Sequence, residues 1–170
     1  VKKCLMLIMA IFLVGGCSTQ EETEDTNQLF LIPSGFEGSI MVFYNVPKTP
    51  ALQKEGKFSV IPVVEASLKQ LEGSNINNYG IYLTSTPDTN GGIVNNKYFY
   101  VDENDERTVI DENCTNFVGT GSFTGDNGKE IRYETIQITK SECSQKFWFD
   151  GNHIYEIQER EIKKYWMNNL

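Results

Sequence analysis

From Gln28 onward the apolar positions fall in short runs, each broken within a few residues by proline, glycine, asparagine or aspartate. Such spacing predicts strands and turns. Leu29–Ile32 is closed by Pro33-Ser34-Gly35. Ser39–Val46 is closed by Pro47-Lys48-Thr49-Pro50, which no helix crosses. Lys57–Val64 is rich in β-branched residues around Pro62 and suits an edge strand or a bulge. Gly80–Ser85 is a fourth strand. Lys97–Val101 and Thr108–Ile110 flank Asp102-Glu103-Asn104-Asp105-Glu106 as a hairpin with an acidic tip. Asn116–Phe123 and Glu130–Ile138 flank Thr124-Gly125-Asp126-Asn127-Gly128, where Asn-Gly suits a tight turn. In the second of these strands Ile131 and Tyr133 share one face, Ile136 and Ile138 the other. That phase change near Glu134-Thr135 reads as a bulge. Lys146–Phe149 and Asn152–Ile157 surround one more turn, Asp150-Gly151.

The period changes at the C-terminus. Over Glu156–Asn168, Glu156–Arg160 and Glu159–Lys163 are i,i+4 pairs of favourable order, and Ile162, Trp166 and Leu170 recur at helical spacing. No internal repeat stands out. The expected fold is all-β, an antiparallel β-sandwich of roughly seven to nine strands, with a C-terminal amphipathic helix.

Residues 1–17 follow a different pattern. Lys2 and Lys3 precede an unbroken apolar run of eleven residues, Cys4–Val14, and Gly15-Gly16 precede Cys17. The run is too short to span a bilayer, which takes roughly 20 helical residues, but suits the apolar core of a secretory signal. Leu13-Val14-Gly15-Gly16-Cys17 resembles a lipobox, with Val14 where leucine is usual. The resemblance implies cleavage before Cys17, diacylglycerol on its thiol, and a location on the extracytoplasmic face of the cell membrane. The other reading is an uncleaved hydrophobic anchor. Ser18–Asn27, polar and acidic, reads as a tether. The domain division is therefore 1–16 signal, 17–27 lipidated cysteine and tether, and 28–170 one folded domain.

That address changes how the remaining composition is read. Apart from Cys4 and Cys17, the cysteines are Cys114 and Cys143. Outside the cytoplasm they are most simply one disulfide, with free thiols or metal ligands as the alternative. Lys and Arg number 15 against 23 acids; without Lys2 and Lys3 the balance is 13 against 23, or −10. So acidic a domain, with no basic patch, is expected to be repelled by nucleic acid and by anionic lipid headgroups, which argues against a nucleic-acid partner.

Candidate chemistry is sparse. The chain has one histidine, His153, so metal sites built on histidine pairs lack members, and with no serine in a G-x-S-x-G elbow His153 reads as a turn-flanking surface residue and not a catalyst. Gly119-Thr120-Gly121-Ser122 fits neither a nucleophile elbow nor a dinucleotide-binding loop, and no cofactor is implied. Asp102, Asn104 and Glu106 alternate as calcium ligands would, since calcium takes roughly six to eight oxygens. Arg107 and Asn113 stand where an EF-hand needs glycine and glutamate, so the choice is between a looser ion site and a solvated hairpin tip. Consecutive Tyr98, Phe99 and Tyr100 place aromatics on both faces of one strand, as core or as a ligand-binding surface.

Phe30-Leu31-Ile32-Pro33-Ser34-Gly35-Phe36-Glu37-Gly38, the strand Ile40–Tyr44, Gly56-Lys57-Phe58-Ser59-Val60-Ile61-Pro62 and Lys97–Asp102 together resemble an uncharacterised domain family. Its members are lipoproteins and secreted proteins of low-GC Gram-positive bacteria. The likeness spans roughly residues 29–150, departs from the pattern before Gly80, and carries no assigned activity, so no site residue follows from it. The opening strand–turn–strand also resembles transthyretin-like sandwiches, which bears on fold alone. The expected function is a membrane-anchored extracytoplasmic binding or interaction module with an unidentified ligand or protein partner. An envelope hydrolase using paired carboxylates and a structural or immunity-type partner protein are the alternatives.

Overall fold

The computed structural model describes residues 27–74, 76–88, 95–140, 142–143, 148–149, 152–153 and 155–170. The signal, the lipobox and all of the tether but Asn27 lie outside the described residues, as does the Asp150-Gly151 turn.

The chain folds as two five-stranded sheets face to face, with a helix on the outer face of one. Strands β1 (Gln28–Pro33), β3 (Gln53–Glu55), β4 (Phe58–Pro62), β7 (Lys97–Val101) and β8 (Arg107–Val109) form the first sheet, in the order β3-β4-β1-β7-β8. Strands β2 (Gly38–Tyr44), β5 (Val64–Ser67), β6 (Asn78–Leu83), β9 (Thr115–Thr124) and β10 (Glu130–Ile138) form the second, in the order β5-β6-β2-β10-β9. A short pair follows, β11 (Trp148–Phe149) with β12 (Asn152–His153), and then helix α1 (Glu156–Met167).

The all-β sandwich with a C-terminal helix is thus present, and its sheets are mixed. Neighbours in sequence (β3/β4, β5/β6, β7/β8, β9/β10) pair antiparallel. The pairs β1/β4, β1/β7 and β2/β6 are parallel. The cause is the path of the chain. The turn at Pro33-Ser34-Gly35 carries it from one sheet to the other instead of folding it back, with Gly35 at φ +83°. The crossings into β3 and β5 bring it back antiparallel to the strand by which it left each sheet, and those into β7 and β9 bring it back parallel to it.

Lys57–Val64, expected as one strand, divides at Val63 into β4 and β5, which belong to different sheets. Pro62 sits in β4, an inner strand, but β3 covers β4 only from Phe58 to Val60. Val63 N donates to Leu31 O at 2.8 Å on the other side. The N–H that Pro62 lacks therefore falls where no strand needs it.

Two apolar layers result. Phe30, Ile32, Ile40, Val42, Ile61, Ile136 and Ile138 fill the space between the sheets. Met41, Phe43, Tyr79, Ile131 and Ile162 fill the space between the second sheet and α1, with Trp166 and Leu170 at its margin. Strands β2 and β10 are buried on both faces. This explains the phase change read in β10, where alternation holds and both faces find apolar partners. A bulge lies at the same level, in β9: Thr135 pairs with Gly119 and Ile136 with Phe117, leaving Val118 as the extra residue.

Helix α1 docks through Gln158. Its Oε1 accepts from Ser39 N at 2.7 Å, and its Nε2 donates to Ile76 O at 2.7 Å and Asn78 O at 2.6 Å. These bonds satisfy backbone groups of the second sheet and the loop leading into it. Glu159–Lys163 forms the anticipated i,i+4 pair at 3.0 Å, whereas Arg160 lies 3.6 Å from Glu161. Cys114 and Cys143 are joined by a disulfide.

Candidate functional site

Alternation along β10 puts Arg132, Glu134, Ile136 and Ile138 on one face, toward the first sheet. Ile136 and Ile138 meet the apolar core there. Glu134 arrives at the same depth with a carboxyl group and is 5% exposed. The structure gives it polar company. Tyr44 of β2 donates its hydroxyl hydrogen to Glu134 Oε1. Gln28 of β1 donates from Nε2 to the same oxygen at 3.1 Å and to the Tyr44 hydroxyl at 2.6 Å.

Burial pushes the Glu134 carboxyl up to about 7, and the charge of Asp88 adds to this; the bonds from Tyr44 and Gln28 work the other way. The Tyr44 phenol is raised well above its ordinary value, by burial first and then by Glu134. Tyr98, stacked on Phe30 at 5.0 Å between ring centroids, is pushed up to about 12 by burial. A carboxyl poised near neutrality thus sits between the sheets, beneath phenols that stay protonated.

This cluster opens beside a recess of about 170 Å³ lined by Asp88, Thr120, Gly121, Ser122 and Arg132. Arg132 Nη1 stands 3.8 Å from Asp88 and its Nε 3.6 Å from Glu130. Thr120 and Ser122 are the β9 residues opposite Glu134 and Arg132. Enclosed small-molecule sites run to roughly 300–1,000 Å³, so the recess takes one side chain or a few waters. Glu134 and Asp88 are the acid pair here that the paired-carboxylate alternative would use.

Among the described residues, one wall of the recess is also an edge of the second sheet. β9 is ten residues long, ends the second sheet, and reads Thr-Asn-Phe-Val-Gly-Thr-Gly-Ser-Phe-Thr without a charge. Phe117 is 43% and Val118 38% exposed.

The residues singled out from sequence lie elsewhere. Asp102, Asn104 and Glu106 occupy the exposed β7–β8 turn, where Asp102 Oδ1 accepts from the backbone N–H of Asn104 and of Glu106, both at 2.9 Å. Those bonds, Glu106's first, hold the Asp102 carboxyl below its ordinary value. Among the described residues no group of three or more His, Cys, Asp or Glu is arranged to hold a metal ion. Tyr98, Phe99 and Tyr100 are all half-buried, with Tyr98 and Tyr100 packed on the inter-sheet core. His153 lies in β12, paired with Trp148, and Cys17 is outside the described residues. Sequence reasoning missed Glu134, Gln28 and Tyr44. The available signal was parity: two positions before Ile136, Glu134 shares the core face.

The chain belongs to the family of unknown function DUF6843, whose model matches residues 24–147. It is similar to a crystal structure of a Bacillus anthracis protein named as a candidate lipoprotein. The two share 30% identity and a TM-score of 0.64 over 85% of this chain and 94% of that one. No curated protein matches.

Proposed function

We propose, with that family membership as the premise, that this is a lipid-anchored extracytoplasmic interaction protein. Its signal ends at Gly16, Cys17 carries the lipid, residues 18–27 form the tether, and the domain from Gln28 meets its partner outside the membrane. The lipobox supports the address, as does the likeness to the B. anthracis protein. No helix among the described residues is long and apolar enough to cross a membrane. The intact mass of native protein from the membrane fraction tests the address: a chain starting at Cys17 plus acyl groups supports it, and an unlipidated chain sinks it.

The observation that carries the interaction reading is β9. Exposed edges are usually blunted by brevity, charge or proline. Here β3 and β8 have three residues each and β5 has four, and all three carry a charge. β9 has ten residues and none, with the bulge at Val118 as its one interruption. An extended segment of a partner can add to such an edge by backbone hydrogen bonds, and the recess behind Thr120 and Ser122 takes one of its side chains. A photoreactive residue at Phe117 should give a discrete adduct in intact cells, lost when Val118→Lys charges the edge. The reading fails if Phe117 gives no adduct, or if position 64 on the opposite edge gives the same one.

A further inference from the structure

We infer that the partner taken up by β9 is a second copy of this chain, the two β9 strands pairing antiparallel about a two-fold axis at Ser122; this rests on the edge reading above. The hydrogen-bond phase of the β9–β10 hairpin fixes which backbone groups are on offer. Gly125 N donates to Lys129 O at 2.9 Å, and these two residues continue the register in which Thr124 faces Glu130. Along an antiparallel ladder, pairs that bond each other alternate with pairs that do not. Gly121 and Phe123 therefore spend their N–H and C=O on β10, whereas Thr120, Ser122 and Thr124 turn theirs outward. Glu130 shows the same phase from the other side: its C=O points away from β9 and accepts from Asn45 Nδ2 at 2.7 Å. Thr120, Ser122 and Thr124 are all exposed.

The regular part of this edge is bounded by the bulge at Val118 and the turn at Gly125. An antiparallel copy makes most use of it with Ser122 against Ser122 of the second copy, and Thr120 against Thr124 on either side. Each of these pairs exchanges two backbone bonds. Moving the axis one residue either way loses one of the pairs to the bulge or the turn. The same register sets Phe123 opposite Gly121 on the helix side, a ring against a position without a side chain. On the other side, the second copy closes the open flank of the recess at Thr120 and Ser122.

Composition selects a copy over a foreign segment. Pairing about a two-fold axis is self-complementary, so a charge at the axis meets its like, which is destabilising. The other edge strands, β3, β5 and β8, each carry a charge, and β9 carries none. Its threonines and serine instead make cross-strand pairs of a favourable kind. Arg132, opposite Ser122 on β10, would be mirrored in the copy at roughly 14 Å, three strand spacings away. That exceeds the Debye length of about 8 Å, and Asp88 and Glu130 already attend it. A cationic segment, which 23 acids against 15 bases would attract, finds no charge along β9 to hold it there.

Cysteine cross-linking on intact cells expressing the full chain reads the register. In a hydrogen-bonded pair the Cα atoms stand about 5.5 Å apart, within the span of a disulfide. Ser122→Cys should therefore give a reducible dimer of the chain under mild oxidation. Thr120→Cys and Thr124→Cys should each stay monomeric alone and cross-link when the two variants are co-expressed. No dimer from Ser122→Cys, or an equal one from Thr120→Cys or Val64→Cys alone, overturns the inference. Ser122→Pro is the second variant. The N–H it removes points away from β10, so the fold keeps its ladder while the dimer loses its central bonds. In sedimentation of the purified protein it should dissociate at least tenfold more readily than wild type, with an unchanged urea midpoint where both are monomeric. Equal dimerisation overturns the inference. Added salt should tighten the wild-type dimer, because it screens two copies of like net charge; loosening by salt overturns it. A Phe117 adduct with a different protein, while Ser122→Cys stays monomeric, overturns this inference and leaves the edge reading standing. No adduct and no cross-link removes both.

Discussion

In an unfolded chain a glutamate titrates near its ordinary value of 4.5, whereas burial in the folded protein pushes the Glu134 carboxyl up to about 7. Between those values the folded state binds the extra proton. Stability therefore falls as pH rises from about 4.5 through 7 and levels off above, once the carboxylate is charged in both states. The span corresponds to about 3 kcal/mol. Other acids add their own slopes, so the test is a difference. Glu134→Gln keeps an oxygen to accept from Tyr44 and Gln28 and cannot titrate. Its stability relative to wild type, from urea midpoints at matched slope, should rise by about 3 kcal/mol from pH 4.5 to 8. A difference flat with pH would show that Glu134 titrates as if solvated. Crowding at a single residue makes a second case. A Cβ on Gly80 would lie 2.7 Å from both Ile40 Cγ1 and Val63 Cγ1. Both are buried and branched, so Gly80→Ala should cost about 1–3 kcal/mol by overpacking, read in the same titration. Gly80 was legible as part of a strand. That Val63 leans on it was not, because Val63 reaches that place by changing sheets.

The helix–sheet junction shows what an element can and cannot disclose in advance. Ile162, Trp166 and Leu170 were legible as its apolar stripe from their spacing, and they meet the second sheet as the stripe requires. Gln158, fully buried and polar, breaks that pattern; its partners are backbone groups 80 to 119 residues away, which no local window contains. Gln158→Ala should cost about 2–4 kcal/mol, because Ser39 N and two carbonyls lose partners where water is scarce. Amide exchange should quicken at Ser39 more than in the β9–β10 hairpin. Equal protection in wild type and variant would mean that Ser39 N finds another acceptor. Gln158→Glu is a sharper probe, since it retains an acceptor for Ser39 N but aims a carboxylate at two carbonyl oxygens. It should be at least as damaging as alanine. The same division between local and distant information holds for the strands. Asn127-Gly128 and the Asp102–Glu106 tip announced their hairpins through turn chemistry. β3 and β5, three and four residues long, have too little pattern to be seen, and the parallel partners of β1 and β2 leave no local mark.

At the scale of the whole molecule the disulfide ties the end of the first sheet to the end of the second. Cys114 follows β8 and leads into β9; Cys143 follows β10, 29 residues later. The closed loop contains the β9–β10 hairpin, and so the edge strand and Glu134. Closing about 30 residues removes chain entropy from the unfolded state worth roughly 3.5 kcal/mol, a large fraction of the roughly 5–15 kcal/mol that holds a domain together. Neither cysteine has a neighbouring motif that announces the bond. It was legible only through the expected address, since a chain exported as a lipoprotein would meet an oxidising compartment, and the sheet alternation that brings the two sulfurs together was not legible at all. Cys114→Ser/Cys143→Ser should therefore lower stability by about 3 kcal/mol in oxidising buffer and match reduced wild type. Because the bond acts on the unfolded chain, unfolded wild type should be more compact, giving a smaller urea slope than the double variant. Equal stability of the double variant and oxidised wild type would mean that the native fold already holds Cys114 and Cys143 together without the bond. The hairpin and the β9 edge would then owe their order to the two apolar layers alone.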